Sequence, residues 1–324
     1  MNMNRRKLCL ALAAVPGLGV GSAQAQSWPT TKPLRLVVPF PPGGNSDLIA
    51  RSIGQQLSTA IGQTVIVDNR AGAGGSLGTG AVAKEPGDGY TLLLGDIATH
   101  VINRLALPHL SYDPVRDFVP VARLTSVSLL VVVNPNLGVR SLGEFIARAK
   151  AQPGKLTYAS GGNGTPSHLA MEMLRARTGI DLVHVPYKGS VPALNDLVAG
   201  QVDVMIDGAA TGLVKSGRLQ LLAVTGERSP AFPTAPTMAE AGVPDYQFTS
   251  WHGLFAPRGT PADIVNRLGG ELEKIVSQPQ LQKQFAELNI RLTAARGQAF
   301  TGFVESQRQS LAKLVQDRNI QFES

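Results

Sequence analysis

LRLVVPFPPGGNSDLIAR, residues 34–51, decides how this chain is read. The apolar run Leu34–Val38 predicts a buried strand. Phe40-Pro41-Pro42-Gly43-Gly44 breaks it, and a helix is predicted to open near Ser46-Asp47. Prolines stiffen the approach and glycines leave the backbone bare, so the N–H groups of the helix start face whatever lies above the strand. Two readings are open. Pro42, Gly43, Gly44, Asn45, Ser46 and Asp47 form either a main-chain cradle for a carboxylate or a tight strand-to-helix turn with Asp47 steadying the first turn. As an anion, Asp47 suits organising the loop, or meeting an amine or hydroxyl, better than facing an acid.

Working outward, the same strand–glycine–helix pattern recurs at Leu156–Arg177, LTYASGGNGTPSHLAMEMLRAR. Gly161, Gly162 and Gly164 open its loop, and Ser160, Asn163, Thr165 and Ser167 add neutral hydrogen-bonding groups. These suit a bound polar molecule and equally suit a helix cap with Pro166 in the first turn. His168 is read as a ligand contact or a structural histidine. Two such units about a hundred residues apart suggest one per domain, each pointing a helix start into a shared cleft at the carboxyl ends of strands.

Between and beyond these units, strands are predicted at 64–67, 90–94, 129–133, 202–206 and 219–224, with helices at 47–61, 141–151, 167–177 and 191–198. The alternation argues for α/β domains with mostly parallel sheets. From Pro261 onward the pattern reads as helices only. At about 150 residues per domain, 324 residues fit two domains.

Arg5-Arg6-Lys7, the apolar run Leu8–Val20 and Ala23-Gln24-Ala25 read as a secretory signal peptide at 1–25. The paired arginines also fit the export route for folded proteins. The single cysteine, Cys9, falls in this leader, so neither disulfides nor a cysteine–zinc cluster is expected in the mature chain. Basic residues exceed acidic ones, 30 to 23, but form no run with interleaved aromatics, which argues against nucleic acid.

A third glycine-rich stretch runs from Arg70 to Gly80, and Gly78-Thr79-Gly80-Ala81-Val82-Ala83 at its end matches GxGxxA but lacks the acidic partner of a dinucleotide fold. It reads better as a surface loop or a fence at the cleft. The five histidines show no metal-ligand spacing, and there is no GxSxG elbow or HExxH. No cofactor and no catalytic residue are assigned. Tyr187 and Lys188 could reach a ligand or form a solvated turn. Asp203 and Asp207 could orient a polar group or cap turns. Trp251 could line the cleft or pack the core; a place by the cleft would make it a fluorescent reporter of closure.

Seven segments in order resemble one family, the Bug (TctC-like) extracytoplasmic solute receptors of tripartite tricarboxylate transporters. They are FPPGGNSDLIAR (40–51), VIVDNRAGAGGSLGTGAVAK (65–84), DGYTLLLG (88–95), LTYASGGNGTPSHLAMEML (156–174), VPYKGSVPALNDLVAGQVDVMID (185–207), LLAVTGERSPAFPTAPTMAEAG (221–242) and WHGLFAPRGTP (251–261). The resemblance implies a type II periplasmic binding protein fold, with two α/β domains, two crossing strands and a cleft. Residues 26–125 plus 241–324 would form one domain and 126–240 the other, the helical C-terminus packing on the first. Loops similar to Phe40–Asp47 and Ser160–His168 hold a ligand carboxylate in the family, and the strand ending near Asp207 is a further contact. Many relatives carry Ser-Thr-Asp where this chain has Asn45-Ser46-Asp47, and Asn-Leu-Pro where Gly208-Ala209-Ala210 follows Asp207. The expected ligand-binding set is therefore Phe40, Pro42, Gly43, Gly44, Asn45, Ser46, Asp47, Ser160, Gly161, Gly162, Gly164, Thr165, Ser167, His168, Tyr187 and Asp207.

The expectation is a monomeric periplasmic protein, not an enzyme. It would bind a small organic acid or amino acid and pass it to membrane permease subunits. A carboxylate-sensing receptor on the same fold is the alternative.

Overall fold

The structure, a computed structural model, describes residues 28–29, 32–107, 109–317 and 320. The leader expected at 1–25 lies outside the described residues. Strands β1 (Leu34–Val38), β2 (Val65–Asn69), β3 (Thr91–Asp96), β4 (Phe118–Ser128), β10 (Thr249–Pro257) and β11 (Arg291–Arg296) form one sheet in the order β11-β4-β10-β3-β1-β2. Strands β5 (Leu130–Val133), β6 (Thr157–Ser160), β7 (Val183–Pro186), β8 (Val204–Asp207) and β9 (Gln220–Val224) form the other, in the order β7-β6-β8-β5-β9.

β1 and β3 are apolar almost without interruption because both faces are covered, as central parallel strands require. Helix α1 (Asn45–Ile61) follows β1. Its Ile49, Ile53, Leu57 and Ile61 recur every four residues and turn one stripe into the core. Gly62 ends it in the left-handed conformation, with its N–H on the Ser58 carbonyl. Helix α2 (Ser76–Val82) carries the third glycine-rich stretch and α3 (Asn103–Ala106) follows β3. The second sheet is flanked by α4 (Leu142–Ala151), α5 (Pro166–Thr178), α6 (Ser190–Ala199) and α7 (Thr211–Lys215). Helices α8 (Ala262–Val276), α9 (Pro279–Glu287) and α10 (Gln298–Asp317) complete the chain.

The chain crosses between sheets twice. Only Leu129 separates β4 from β5, and the return runs from Val224 to Thr249. Thr225 ties the two crossings. Its N–H donates to the Leu129 carbonyl and its carbonyl accepts from Phe248 N–H. Its hydroxyl accepts from Leu129 N–H at 2.9 Å and donates to the Phe248 carbonyl at 2.7 Å.

Two expectations need correction, and one strand went unpredicted. The sheets are mixed rather than mostly parallel: the crossing strands β4, β5 and β10 run antiparallel to their neighbours. β4 itself escaped the sequence reading because Pro120, Arg123 and Ser126 interrupt its apolar pattern. The C-terminal region is not all helix, since Arg291–Arg296 pairs antiparallel with β4 as an edge strand. Its alanines carry no strand signal of their own, and β4 supplies the ladder.

Candidate functional site

The helix starts meet at one cavity between the sheets. The space open to the centre of a water molecule is about 90 Å³. From the first loop Phe40, Pro41, Pro42, Gly44, Asn45 and Ser46 line it; from the second, Gly161, Thr165, Pro166 and Ser167. Gly189, Ser190 and Val191, at the start of α6, add a third wall. Asp207 and Gly208 close the second-sheet side, Asp96, Ser250 and His252 the first, and Val127 and Leu129 form an apolar back at the crossing.

Of the expected set, Phe40, Pro42, Gly44, Asn45, Ser46, Gly161, Thr165, Ser167 and Asp207 thus reach the cavity. Gly43, Asp47, Ser160, Gly162, Gly164 and His168 sit behind the wall and hold the loops in shape. Gly43 N–H donates to Asp47 Oδ2 at 3.0 Å, and Arg51 Nε donates to the same oxygen at 3.0 Å. Burial would raise the Asp47 carboxyl, but bonds from Arg51, Gly43 and Asn69 bring it below the usual carboxylate value. In the second loop Gly161 N–H donates to Ser167 Oγ (2.9 Å), Gly162 N–H to Ser160 Oγ (3.1 Å) and Gly164 N–H to His168 Nδ1 (3.3 Å). Burial, then the Arg175 charge, pull the His168 ring down to about 4. Tyr187 turns away, its hydroxyl on Asp196 Oδ2 at 2.7 Å.

Sequence reasoning missed the walls from α6 and β10. Gly189 has φ +121° and precedes a helix start, so it repeats the glycine–helix pattern in shorter form. On β10, alternate residues share a face. Ser250 and His252 face the cavity, and Trp251 between them faces the core against Phe300 and Phe303. The expectation of Trp251 beside the cleft is therefore corrected: it is fully buried.

Several glycines let the two sides touch. A Cβ on Gly189 would lie 2.9 Å from Pro41 Cγ, one on Gly74 2.7 Å from the Asn163 carbonyl oxygen, and one on Gly208 2.8 Å from Asn45 Nδ2. The third glycine-rich stretch thus meets the second loop, as a fence at the cleft would.

The cavity has no Lys or Arg among its lining residues, and its titratable groups are Asp96, Asp207 and His252. Burial pushes the Asp96 carboxyl up to about 6 against hydrogen bonds from Thr99. Burial also raises Asp207, against bonds from Ala209 N–H and the Ser190 hydroxyl. Burial lowers His252 to about 4, so its ring is neutral at pH 7. Positive potential comes instead from α1, α5 and α6, whose first-turn N–H groups have no partner within the helix. Among the described residues no His, Cys, Asp and Glu cluster could hold a metal ion.

Two α/β lobes, two crossings and a cavity at converging helix starts define a type II periplasmic binding protein. The chain belongs to the tripartite tricarboxylate transporter family receptor (TctC) family, whose model matches residues 49–320. It is similar to R. palustris Rpa4515 with adipate, at 36% identity and TM-score 0.88 over 91% of this chain and 99% of that one. It is also similar to the periplasmic binding protein BugD, at 32% identity and TM-score 0.85 over 91% and 100%. MatC from Rhodopseudomonas palustris with bound malate matches at 32% identity and TM-score 0.83 over 88% and 99%.

Proposed function

We propose that this chain captures a small carboxylate between its lobes in the periplasm and delivers it to the membrane subunits of a tripartite transporter. The observation that carries this is the convergence of three helix N-termini on a cavity whose lining has no Lys or Arg. Such a site neutralises an acid with main-chain N–H groups, which suits small organic acids with varied tails. The adipate and malate held by two similar proteins support the class, and the family's description supports the transporter.

In this reading one lobe comprises residues 26–125 and 241–324, the other 126–240, and the protein works as a monomer without cofactor or catalysis. The wall residues named above contact the acid, and Gly43, Asp47, Ser160, Gly162, Gly164 and His168 hold the loops that do so. Closure is a population shift, because the acid contacts both lobes only in the closed form. Isothermal titration against mono-, di- and tricarboxylates and amino acids, adipate and malate included, tests it. Saturable one-site binding of an acid is expected; a folded protein that binds none of them overturns the reading.

A further inference from the structure

The wall made by Ser46 and His252 allows its protons to be counted. Thr125 Oγ1, fully buried on β4, accepts the main-chain N–H of His252 at 3.0 Å and lies 2.9 Å from His252 Nδ1. Among the hydrogen bonds of the described residues, Nδ1 is the one acceptor for the Thr125 hydroxyl proton. Nδ1 therefore carries no proton, and a neutral imidazole then carries its proton on Nε2. Nε2 lies 3.1 Å from Ser46 Oγ, so the ring donates to Ser46. Ser46 Oγ accepts that bond, lines the cavity, and has no protein acceptor for its own proton among the described residues. On the facing lobe the opposite holds. The Ser190 hydroxyl donates to Asp207 Oδ2 at 2.7 Å and shows the cavity only lone pairs.

We propose that His252 is a positioning residue that fixes the Ser46 hydroxyl as a hydrogen-bond donor to the cavity, so that this wall takes an ionised acid oxygen and disfavours a carboxamide N–H. The inference rests on the carboxylate reading given under Proposed function. The relay comprises residues of β4, β10 and α1, all on the first sheet and its helix, so it stands before any closure. It was hidden from sequence reading because Ser46 and His252 are 206 residues apart.

The proton assignment is tested without ligand. Long-range proton–nitrogen correlations of ring-labelled histidine at pH 7 are expected to show His252 as the Nε2–H tautomer. The Nδ1–H tautomer, whose bare Nε2 would accept the Ser46 proton, overturns the proposal. Calorimetry with adipate tests the consequence. Ser46→Ala and His252→Phe are each expected to weaken adipate about tenfold, the loss of one hydrogen bond to a charged group. The double variant is expected to bind no more weakly than either single one. His252→Gln, whose amide N–H can take the place of Nε2–H, is expected to recover most of the loss. Additive losses, or equal losses in the Phe and Gln variants with unchanged melting temperatures, overturn the proposal. Failure of every acid in the panel removes the capture reading, and the tautomer still decides the donor assignment.

Discussion

The loops at Phe40–Asp47 and Ser160–His168 both leave a buried parallel strand and open a helix, yet they bond their glycines differently. In the first, Gly43 N–H goes to Asp47, a carboxylate held by the half-exposed Arg51. In the second, the N–H groups of Gly161, Gly162 and Gly164 go to neutral side chains of the loop itself. One loop is organised by an ion pair reaching solvent, the other by a buried network that includes a histidine. Similar glycine patterns therefore give two jaws with different weak points: the first yields to loss of a charge, the second to gain of a proton.

The harshest way to break the comparison is to stop the jaws meeting. Gly208→Val would place Cβ 2.8 Å from Asn45 Nδ2 and 3.0 Å from Val127 Cγ1, inside the cavity. We expect affinity for an acid that the titration panel shows to bind to fall at least about 100-fold by calorimetry. Retained binding would show that the cavity is not where the acid sits.

Acid separates the jaws next. His168 has its folded pKa lowered to about 4, so at pH 7 both folded and unfolded chains hold it neutral. As pH falls below about 6.5, the unfolded chain gains a proton that the native ring refuses, and stability drops until the pH nears the folded value. At pH 5 the loss is about 2 kcal/mol. His168→Gln should lose less stability than wild type between pH 7 and pH 5. The raised carboxyls of Asp96 and Asp207 act in the opposite sense, but equally in both proteins, so the difference in chemical-denaturation curves isolates His168. Asp47 has a lowered pKa, so its contribution is intact across this range and falls only below about pH 4.

Asp47→Ala attacks the first jaw directly. It removes the acceptor of Gly43 N–H and the partner of Arg51. We expect about 1–2 kcal/mol of destabilisation in urea and a parallel loss of affinity for an acid that the panel shows to bind. Ser167→Ala is the mildest, releasing Gly161 N–H while Ser160 and His168 still hold their glycines. A stability cost of about 0.5–1 kcal/mol is expected, with a few-fold loss of acid affinity because Ser167 also lines the cavity. If Ser167→Ala costs more affinity than Asp47→Ala, the roles assigned to the two loops are reversed.

What the sequence made legible follows from what the backbone does locally. The strand at 34–38 and the one read at 156–158 and found at Thr157–Ser160, their glycine loops and the helices after them are short-range devices with a compositional imprint. The pairing of Ser46 with His252, of Ser190 with Asp207, and the seating of Gly189 on Pro41 depend on the folded chain, and no local pattern announces them. Arg291–Arg296 shows the same limit in secondary structure, because the edge of β4 makes it a strand. Ser250-Trp251-His252 shows a different failure: the period of two was there to be read, and the tryptophan drew attention from its neighbours.

Thr225 has a mechanical consequence. Because this one buried residue bonds to Leu129 on the outgoing crossing and to Phe248 on the return, the two crossings act as one pin rather than two independent threads. A turning of one sheet against the other about that pin would move the outer surfaces much farther than the residues at the pin itself. In the transport reading proposed above, a membrane partner sensitive to that movement would register whether the jaws are shut without touching their contents, so cargo could change while the docking face stays the same.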